Sequence, residues 1–154
     1  RRYFRQVINE ANRRLLTMSG HQFMLKLKET ENSGRKSNEG LDLSVYSLVT
    51  DSERDIRTLS GGESFLAALA MALGLSDIAI RKAGAVHLDM MFIDEGFGTL
   101  DAQSRKQAIE VLSQLAGSER LVGIISHVTE LKEQIEHRLY VTRTENGSEA
   151  VWEE

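Results

Sequence analysis

Two short apolar runs separated by a helical pattern constrain the fold of this chain more than any other feature of its sequence. The runs are Met90–Ile93 and Leu121–Ile125, and between them Ile109 and Leu112 share one face of a predicted helix. Short continuous apolar runs are typical of strands that are buried on both faces of a parallel sheet. A strand, a helix and a second such strand predict an α/β fold, in which helices cover a mostly parallel sheet.

The first third of the chain predicts one helix followed by a hairpin. Residues 1–18 carry apolar side chains at helical spacing, and the first 20 residues hold five Arg against one Glu. Phe23–Lys28 and Leu41–Tyr46 alternate apolar and polar residues, as strands with one buried face do. The polar segment 29–40 between them predicts the hairpin loop. Near the other end of the chain, Asn146-Gly147 predicts the turn of a second hairpin.

Composition excludes several classes of protein. The chain has 154 residues, of which 41% are apolar and 27% charged, enough for one domain with a real core. It has no cysteine, which excludes disulfide scaffolds, cysteine nucleophiles and Cys-ligated metal sites. Its net charge of −4 excludes a generally basic nucleic-acid wrapper. We expect no membrane span, and the start at Arg1 without a signal-peptide pattern indicates a cytosolic piece of a longer protein.

A glycine-containing segment, Leu59-Ser60-Gly61-Gly62-Glu63, precedes an apolar stretch that predicts a buried helix. Ser60 is placed to cap that helix, and Glu63 three residues later completes a capping box. Two consecutive glycines cost conformational entropy, but they let backbone N–H groups approach a ligand closely. Because a helix N-terminus with free N–H groups attracts anions, the segment is suited to binding a phosphate. A capping box alone is the structural alternative, and the two interpretations are compatible.

Polar residues follow both apolar runs. Asp94 and Glu95 end the first run, and ligands bind at the carboxyl ends of strands in such sheets. One carboxylate can hold a hard cation such as Mg²⁺ while its neighbour orients an attacking water. His127 comes just after the second run, where it can contact a γ-phosphate. Taken singly, the acids also fit a solvated strand end, the histidine fits a loop residue, and Asp101 fits an N-cap in a glycine-rich turn.

The order of these motifs resembles that of the C-terminal half of an ABC-type ATPase head. Within that superfamily the details resemble the SbcC family, the ATPase subunits of the bacterial SbcC–SbcD exonuclease and relatives of the structural-maintenance-of-chromosomes (SMC) proteins. The residues that carry the resemblance are Phe92–Asp101 and Gly123–His127, within a similar stretch from Thr58 to Tyr140. Transporter ATPases usually have proline after the Asp-Glu pair, and here that position is Gly96.

The resemblance implies roles at an ATP site for the motif residues. It implies that Asp94 is the Walker B carboxylate acting on Mg²⁺, that Glu95 is the general base that positions the hydrolytic water, and that His127 is the switch histidine near the γ-phosphate. The signature motif, which in this family contacts ATP held on the opposing head, would comprise Ser60, Gly61, Gly62 and Glu63. The D-loop, which lies across the dimer interface, would include Gly98, Thr99 and Asp101.

One element of an ATP site is missing from the sequence. A P-loop, or Walker A motif, reads Gly-x-x-x-x-Gly-Lys-Ser/Thr, and no Lys follows a Gly in this chain. Heads of the family that it resembles are split, with Walker A on an N-terminal lobe beyond a long coiled coil. The resemblance therefore implies that residues 1–18 end the returning coiled-coil helix and that residues 19–154 form the C-terminal lobe. The basic helix would bind DNA or the nuclease partner, or would present a solvated face.

The function implied by the resemblance is that of an ATPase lobe in an SbcC-like exonuclease subunit that processes DNA double-strand breaks and hairpins. ATP and Mg²⁺ bound between two heads would drive engagement and gate a partner nuclease. The implied partners are the N-terminal lobe, a second head in a homodimer, an SbcD-like nuclease and DNA, in a cytoplasmic, nucleoid-associated protein. The alternatives are another SMC-like chromosome-organisation or recombination ATPase, a transporter domain with a membrane partner, and a non-enzymatic dimerisation module, against which the presence of Glu95 argues.

Overall fold

The computed structural model describes residues 2–28, 42–83, 90–116, 121–145 and 147–153. The predicted hairpin loop at 29–40 and Asn146 of the second predicted turn lie outside these residues. The helices are α1 (Arg2–Met18), α2 (Gly61–Ala83) and α3 (Ala102–Ala116). The strands are β1 (Phe23–Leu27), β2 (Leu43–Ser47), β3 (Ser52–Asp55), β4 (Met90–Asp94), β5 (Leu121–Ile125), β6 (Arg138–Thr144) and β7 (Gly147–Glu153). Short 3-10 helices cover Ile56–Thr58, Phe97–Thr99 and Thr129–Glu133.

Helices α1 and α2 pack closely against each other in the core. The predicted helix at residues 1–18 is confirmed as α1, and its buried face includes Val7, Ala11 and Leu15. Gly74 of α2 lies directly against this face, because a Cβ placed there would be 2.8 Å from both the Val7 carbonyl oxygen and the Ala11 nitrogen. Any larger residue would push two helix backbones apart, and a packed interior resists such a shift. The division of the chain at residue 18 into two domains stays a prediction.

Part of the basic charge on α1 is used inside the fold. The Arg14 guanidinium lies 2.5 Å from the Asp77 carboxylate of α2, and both side chains are mostly buried. The carboxylate of Glu10 of α1, which is also mostly buried, forms an ion pair with the Arg81 guanidinium of α2 at 3.5 Å. These pairs fix α1 against α2 through charge as well as shape. Arg13, with 76% of its side chain exposed, remains on the solvent side of the helix.

The first hairpin is confirmed and belongs to a three-stranded antiparallel sheet of order β1-β2-β3. Phe23 pairs with Ser47 and Leu25 with Val45, so the apolar residues of the two strands share the core face. The Asn12 side chain of α1 bonds both the N–H and the carbonyl of Leu25, each at 2.8 Å, and so attaches the sheet to the helix. Strand β3 was not predicted, because its sequence Ser-Glu-Arg-Asp has no apolar alternation.

The α/β fold is confirmed, and parallel pairing occurs where it was predicted. Strands β4 and β5 pair in parallel, with Asp94 opposite Ile125. Pairing among the other described strands is antiparallel. The prediction that both strands are buried on two faces is wrong for this structure, because Ile93 is buried but Phe92 is 62% exposed. Within the described residues, one face of this sheet is uncovered, and its exposed side chains are Met90, Phe92, Leu121 and Ile125.

The remaining described elements are the second hairpin, a short 3-10 helix and the apolar helix α2. The second predicted hairpin is confirmed, since β6 and β7 pair antiparallel from Arg138 opposite Glu153 to Thr144 opposite Gly147. The 3-10 helix Thr129–Glu133 follows β5 and buries Leu131. Helix α2 is, over Gly61–Arg81, long and apolar enough to cross a membrane by length and composition alone. Its packing against α1 accounts for that composition, since the core helix of a globular domain is apolar on several sides.

Candidate functional site

The start of α2 is a capping box, as predicted. The Glu63 N–H donates to the Ser60 hydroxyl at 3.2 Å, and the Ser60 N–H donates to the Glu63 carboxylate at 2.8 Å. This reciprocal pair orders the turn that contains the two glycines. Ser60 and Gly61 are exposed, so a phosphate can approach the start of the helix.

Arg54 on β3 holds this turn from the antiparallel sheet. Its guanidinium lies 2.6 Å from the Glu63 carboxylate and also donates to the Thr58 carbonyl at 3.0 Å. Burial raises the pKa of Glu63, but the Ser60 N–H and the Arg54 guanidinium outweigh it, so that the pKa of this carboxyl lies below its ordinary value. Glu63 is therefore an ionised, internally bonded residue that shapes the turn.

The two carboxylates predicted to act on Mg²⁺ and water lie at the carboxyl end of β4. Asp94 is exposed as the last residue of the strand. Glu95 follows with a φ of 59°, in the left-handed region that non-glycine residues rarely occupy. Its N–H donates to the Ile125 carbonyl of β5 at 2.9 Å, which holds it beside the end of the neighbouring strand. Backbone strain of this kind concentrates at functional sites.

Glu95 and His127 meet across the ends of the two parallel strands. The Glu95 carboxylate and His127 Nδ1 are 3.0 Å apart, and both side chains are more than half exposed. The sheet register accounts for this contact, because Asp94 lies opposite Ile125 and the residues that follow both strands meet at the same edge of the sheet. A carboxylate bonded to an imidazole, open to solvent, is an arrangement that can orient a water and hold its proton.

The turn after Glu95 is packed against the start of α2. Gly96 has a φ of 94°, and the ring of Phe65 lies so close to it that any Cβ there would overlap the ring. Phe65 also packs edge-to-face on Phe97, with the ring centroids 5.0 Å apart and an interplanar angle of 67°. Phe97 is completely buried. Glycine at position 96, rather than the proline of transporter ATPases, is therefore required by its own backbone and by its neighbour.

The predicted D-loop contacts the predicted signature motif within the same chain. A Cβ at Gly62 would be 2.7 Å from the Thr99 carbonyl oxygen, so the two backbones lie directly against each other. Asp101 caps α3 by accepting bonds from the N–H and hydroxyl of Ser104, each at 2.9 Å. The Ser104 N–H, together with its hydroxyl, holds the pKa of the Asp101 carboxyl below its ordinary value. Gly98 lies exposed at the outer side of the turn.

The predicted site residues thus form two groups. Ser60, Gly61, Gly62 and Glu63 lie with Thr99 on one side, and Asp94, Glu95 and His127 lie at the strand ends. Among the described residues, no hydrogen bond or ion pair joins one group to the other directly. The connection between them is the turn from Gly96 to Thr99 and the ring of Phe65 that packs on it. The roles of these residues stay predictions.

The donors present fit Mg²⁺ bound together with a nucleotide. Within the described residues, no group of three or more His, Asp or Glu side chains forms a metal site. Mg²⁺ does not need one, since it keeps several waters and is commonly held by one or two carboxylates plus substrate phosphates. Asp94, exposed at the end of β4, supplies such a carboxylate.

Comparisons with known proteins decide the family. A family model described as SbcC/RAD50-like, Walker B motif matches residues 26–114. The chain belongs to the SbcC/RAD50-like family. A protein of Vibrio cholerae, named as the SbcC component of the SbcCD nuclease, is 51% identical over 142 residues, 92% of this chain. One of the same name from Staphylococcus haemolyticus is 45% identical over 146 residues, 95% of this chain. The chain spans 14% of the length of each of these two relatives.

Solved structures support the fold of this SbcC/RAD50-like chain. One structure, from work on ATP-driven dimerization and DNA-stimulated activation of SMC ATPases, matches with a TM-score of 0.77 at 15% identity, over 99% of this chain and 86% of the other. The Smc head of Pyrococcus furiosus, bound to the C-terminal domain of ScpA, matches with a TM-score of 0.69 at 19% identity, over 97% and 35%. At these identities the likeness concerns the fold, which is that of an SMC ATPase head.

Two residues of the site were missed in the sequence. Arg54 lies in a short polar strand, and no periodicity distinguishes it from a surface arginine. Phe65 belongs to an apolar helical stretch, in which every large side chain is expected in the core. The available signal for Phe65 was Gly96, since a glycine at that position leaves room for a neighbouring ring.

Proposed function

We propose that this chain is the C-terminal lobe of a split SbcC-type ATPase head, which becomes an ATP hydrolase when a Walker A lobe of the same protein completes it. The observation that carries the proposal is the uncovered apolar face of the β4–β5 sheet. Parallel sheets occur almost only with both faces covered. Here Met90, Phe92, Leu121 and Ile125 are each more than half exposed on one side, and the opposite side faces the core.

The remainder of the protein is the source of the missing cover. The sequence contains no Gly-x-x-x-x-Gly-Lys segment, and family members of which this chain spans 14% have most of their length elsewhere. A P-loop follows a strand and opens a helix. A lobe that adds strands beside β4 and a helix over Phe92 would cover the apolar face and bring the phosphates to Asp94.

The residues of this chain have distinct tasks in the proposed reaction. Mg²⁺ bound together with ATP would neutralise part of the negative charge on the phosphates. The Asp94 carboxylate would hold the hydrated ion. Glu95, positioned by its bonds to Ile125 and His127, would orient the attacking water and accept its proton. Phosphoryl transfer needs little covalent chemistry from a protein, so positioning and charge account for most of the catalysis.

The signature motif would serve a second head. Ser60, Gly61 and Gly62 form the start of α2, on a turn that Glu63 and Arg54 hold in place, and a helix N-terminus of this kind suits a γ-phosphate presented from outside the lobe. In a symmetric dimer each head would contribute Asp94 and Glu95 to one nucleotide and Ser60 to the other. Dimerisation would therefore depend on ATP, with Gly98, Thr99 and Asp101 shaping the loop at the interface.

The broader role that we propose is that of the SbcC-like component of a nuclease complex acting on DNA double-strand breaks and hairpins. The identity of 51% to a protein named as the SbcC component of the SbcCD nuclease supports this role over that of another SMC-like ATPase, since the SMC matches concern the fold. Its partners would be an SbcD-like nuclease and DNA, without a membrane partner. Its location would be cytoplasmic and nucleoid-associated.

The test is reconstitution of the head. ATP hydrolysis and ATP-dependent dimerisation are measured with this chain alone and after co-expression with the N-terminal lobe of its parent. We expect both activities only with the two lobes together. Hydrolysis by this chain alone would overturn the split-head proposal, and the absence of both activities from the paired lobes would favour a non-enzymatic module.

A matched pair of variants tests the covering face. Phe92→Asp places a charge on the uncovered face and should abolish co-purification of the two lobes. Val49→Asp places the same charge on a side chain that is 75% exposed in the β2–β3 turn, and it should leave co-purification unchanged. Equal loss with both variants would refute a specific docking face.

A further inference from the structure

Phe65 connects the two groups of site residues. It lies on α2 two residues after Glu63, and its half-buried ring lies against the backbone of Gly96, which directly follows Glu95. Because Gly96 has no Cβ, ring and peptide touch without an intervening side chain. The ring also packs edge-to-face on the buried Phe97. Displacing Phe65 would therefore require the peptide that follows Glu95 to move.

Helix α2 touches the same turn at a second place. Gly62 lies against the carbonyl of Thr99, at the far end of the turn that begins at Gly96. The start of α2 thus contacts both ends of this turn, through Phe65 and through Gly62. Ser60 and Phe65 are about 7.5 Å apart along the helix axis, or about one and a half turns, and so short a length of helix moves as a unit.

Glu95 is held in a conformation that such a movement can change. Glu95 and Gly96 both have positive φ values, of 59° and 94°. The left-handed conformation of a non-glycine residue is strained and persists only while its surroundings fix it. The surroundings here are the Ile125 carbonyl, His127 and the ring of Phe65.

We propose that Phe65 is a positioning residue that couples the two nucleotide sites of a head dimer. This inference rests on the proposed function, in which the signature motif of one head meets the nucleotide that the other head hydrolyses. Engagement of Ser60 with the opposite nucleotide shifts the start of α2. Phe65 passes that shift to Gly96, and so to the Glu95 that serves the nucleotide of its own head. The activity of each site then depends on whether the other site holds a nucleotide. Such a dependence is measured as a coupling free energy between the two sites.

The experiment measures ATP hydrolysis against ATP concentration in the full-length protein carrying Phe65→Leu. We expect the Hill coefficient to fall from about 2, the limit for two sites, to about 1. We also expect kcat to fall about tenfold, while ATP-dependent dimerisation stays within about twofold of wild type. Phe65→Tyr keeps the ring against Gly96 and should retain the cooperativity.

Phe23→Leu is the matched control. It removes a ring that is 2% exposed and belongs to β1 of the antiparallel sheet rather than to α2. A purely structural role for Phe65 predicts that both leucine variants lower thermal stability and leave the Hill coefficient unchanged. An unchanged Hill coefficient in Phe65→Leu, or an equal fall in Phe23→Leu, would overturn the proposal.

Hydrogen exchange supplies a second readout. In the wild type, ATP-driven dimerisation should increase the protection of the amides of residues 95–99. In Phe65→Leu the dimer should form without that increase, and a normal increase would refute the coupling.

If Phe65→Leu fails to fold, Phe65→Tyr decides the question, because loss of cooperativity with the ring still present would contradict the model. Absence of dimerisation and hydrolysis in the wild-type protein would overturn the proposed function itself, and the coupling with it.

Discussion

Replacing Arg54 with alanine should weaken ATP-dependent engagement of two heads without unfolding the lobe. Arg54 crosses from β3 to the start of α2, where it contacts Glu63 at 2.6 Å and the Thr58 carbonyl at 3.0 Å. The bonds between Ser60 and Glu63 do not involve Arg54, so the capping box persists in the variant. What is lost is the attachment of this turn to the antiparallel sheet.

The magnitude follows from the exposure of the pair. The side chains of Arg54 and Glu63 are 33% and 28% exposed, so solvent screens their attraction in part. A pair in this setting is worth about 1 kcal/mol, the upper end of the range for exposed ion pairs. Engagement of a symmetric dimer must fix two such loosened turns, so the loss is at most about 2 kcal/mol, which corresponds to at most roughly 30-fold in the dimerisation constant.

The assay is sedimentation of the reconstituted head at increasing protein concentration with saturating ATP and Glu95→Gln to prevent turnover. Arg57→Ala is the control, because Arg57 is 86% exposed and pairs with Asp55 rather than with the signature turn. The difference between the two variants should shrink in about 1 M salt, where the Debye length is about 3 Å. Equal weakening by both variants, or no weakening by Arg54→Ala, would refute the reasoning.

Four further predictions concern the proposed reaction and its pH dependence. Glu95→Gln should keep ATP binding and lower turnover about 10² to 10⁴-fold, the contribution typical of a general base, and unchanged turnover in the reconstituted head would remove Glu95 from that role. Asp94→Ala should abolish Mg²⁺-dependent hydrolysis, measured across a Mg²⁺ titration, and retained activity would exclude Asp94 from the metal site. Ser60→Arg fills the exposed helix start and should block dimerisation with ATP while circular dichroism stays unchanged, whereas persisting dimers would contradict the signature assignment. Because the pKa of Glu63 is lower when folded, its stabilising effect is present above the ordinary value of 4.5 and declines as the pH falls through the folded value, so protection of the first amides of α2 should decline in acid, but not in Glu63→Gln.

Sequence periodicity predicted most of the elements because the physics that sets them is local. The apolar runs that became β4 and β5, the alternation in β1 and β2, and the capping residues of α2 and α3 each depend on neighbours within a few positions. Parallel pairing of β4 with β5 followed from the helix between them. Strand β3 was not predicted, because it is held in the sheet by backbone hydrogen bonds. Every residue except proline can form such bonds, so they leave no pattern in the sequence.

Burial of the β4–β5 sheet was predicted wrongly for a different reason. Under the proposed function, the pattern of Met90–Ile93 reflects the environment of the strand in the completed head, of which this chain would supply only one part. The contacts of Arg54 with Glu63 and of Phe65 with Gly96 also lay beyond sequence reasoning. They join residues that are 9 and 31 positions apart, and only the packed fold decides which of the many candidate pairs meet.

The close crossing of α1 and α2 at Gly74 turns α1 into a lever arm. The helix has 17 residues and is therefore about 25 Å long. Its backbone touches that of α2 at Val7 and Ala11, with no side chain of Gly74 between them. Because Arg14 and Asp77 bind the two helices together as well, a tilt of about 10° about this crossing would carry Arg2, about 10 Å further along α1, through about 2 Å. The signature turn lies about 20 Å along α2 from Gly74, so a movement there reaches Arg2 as a smaller movement in the opposite arm of the crossing.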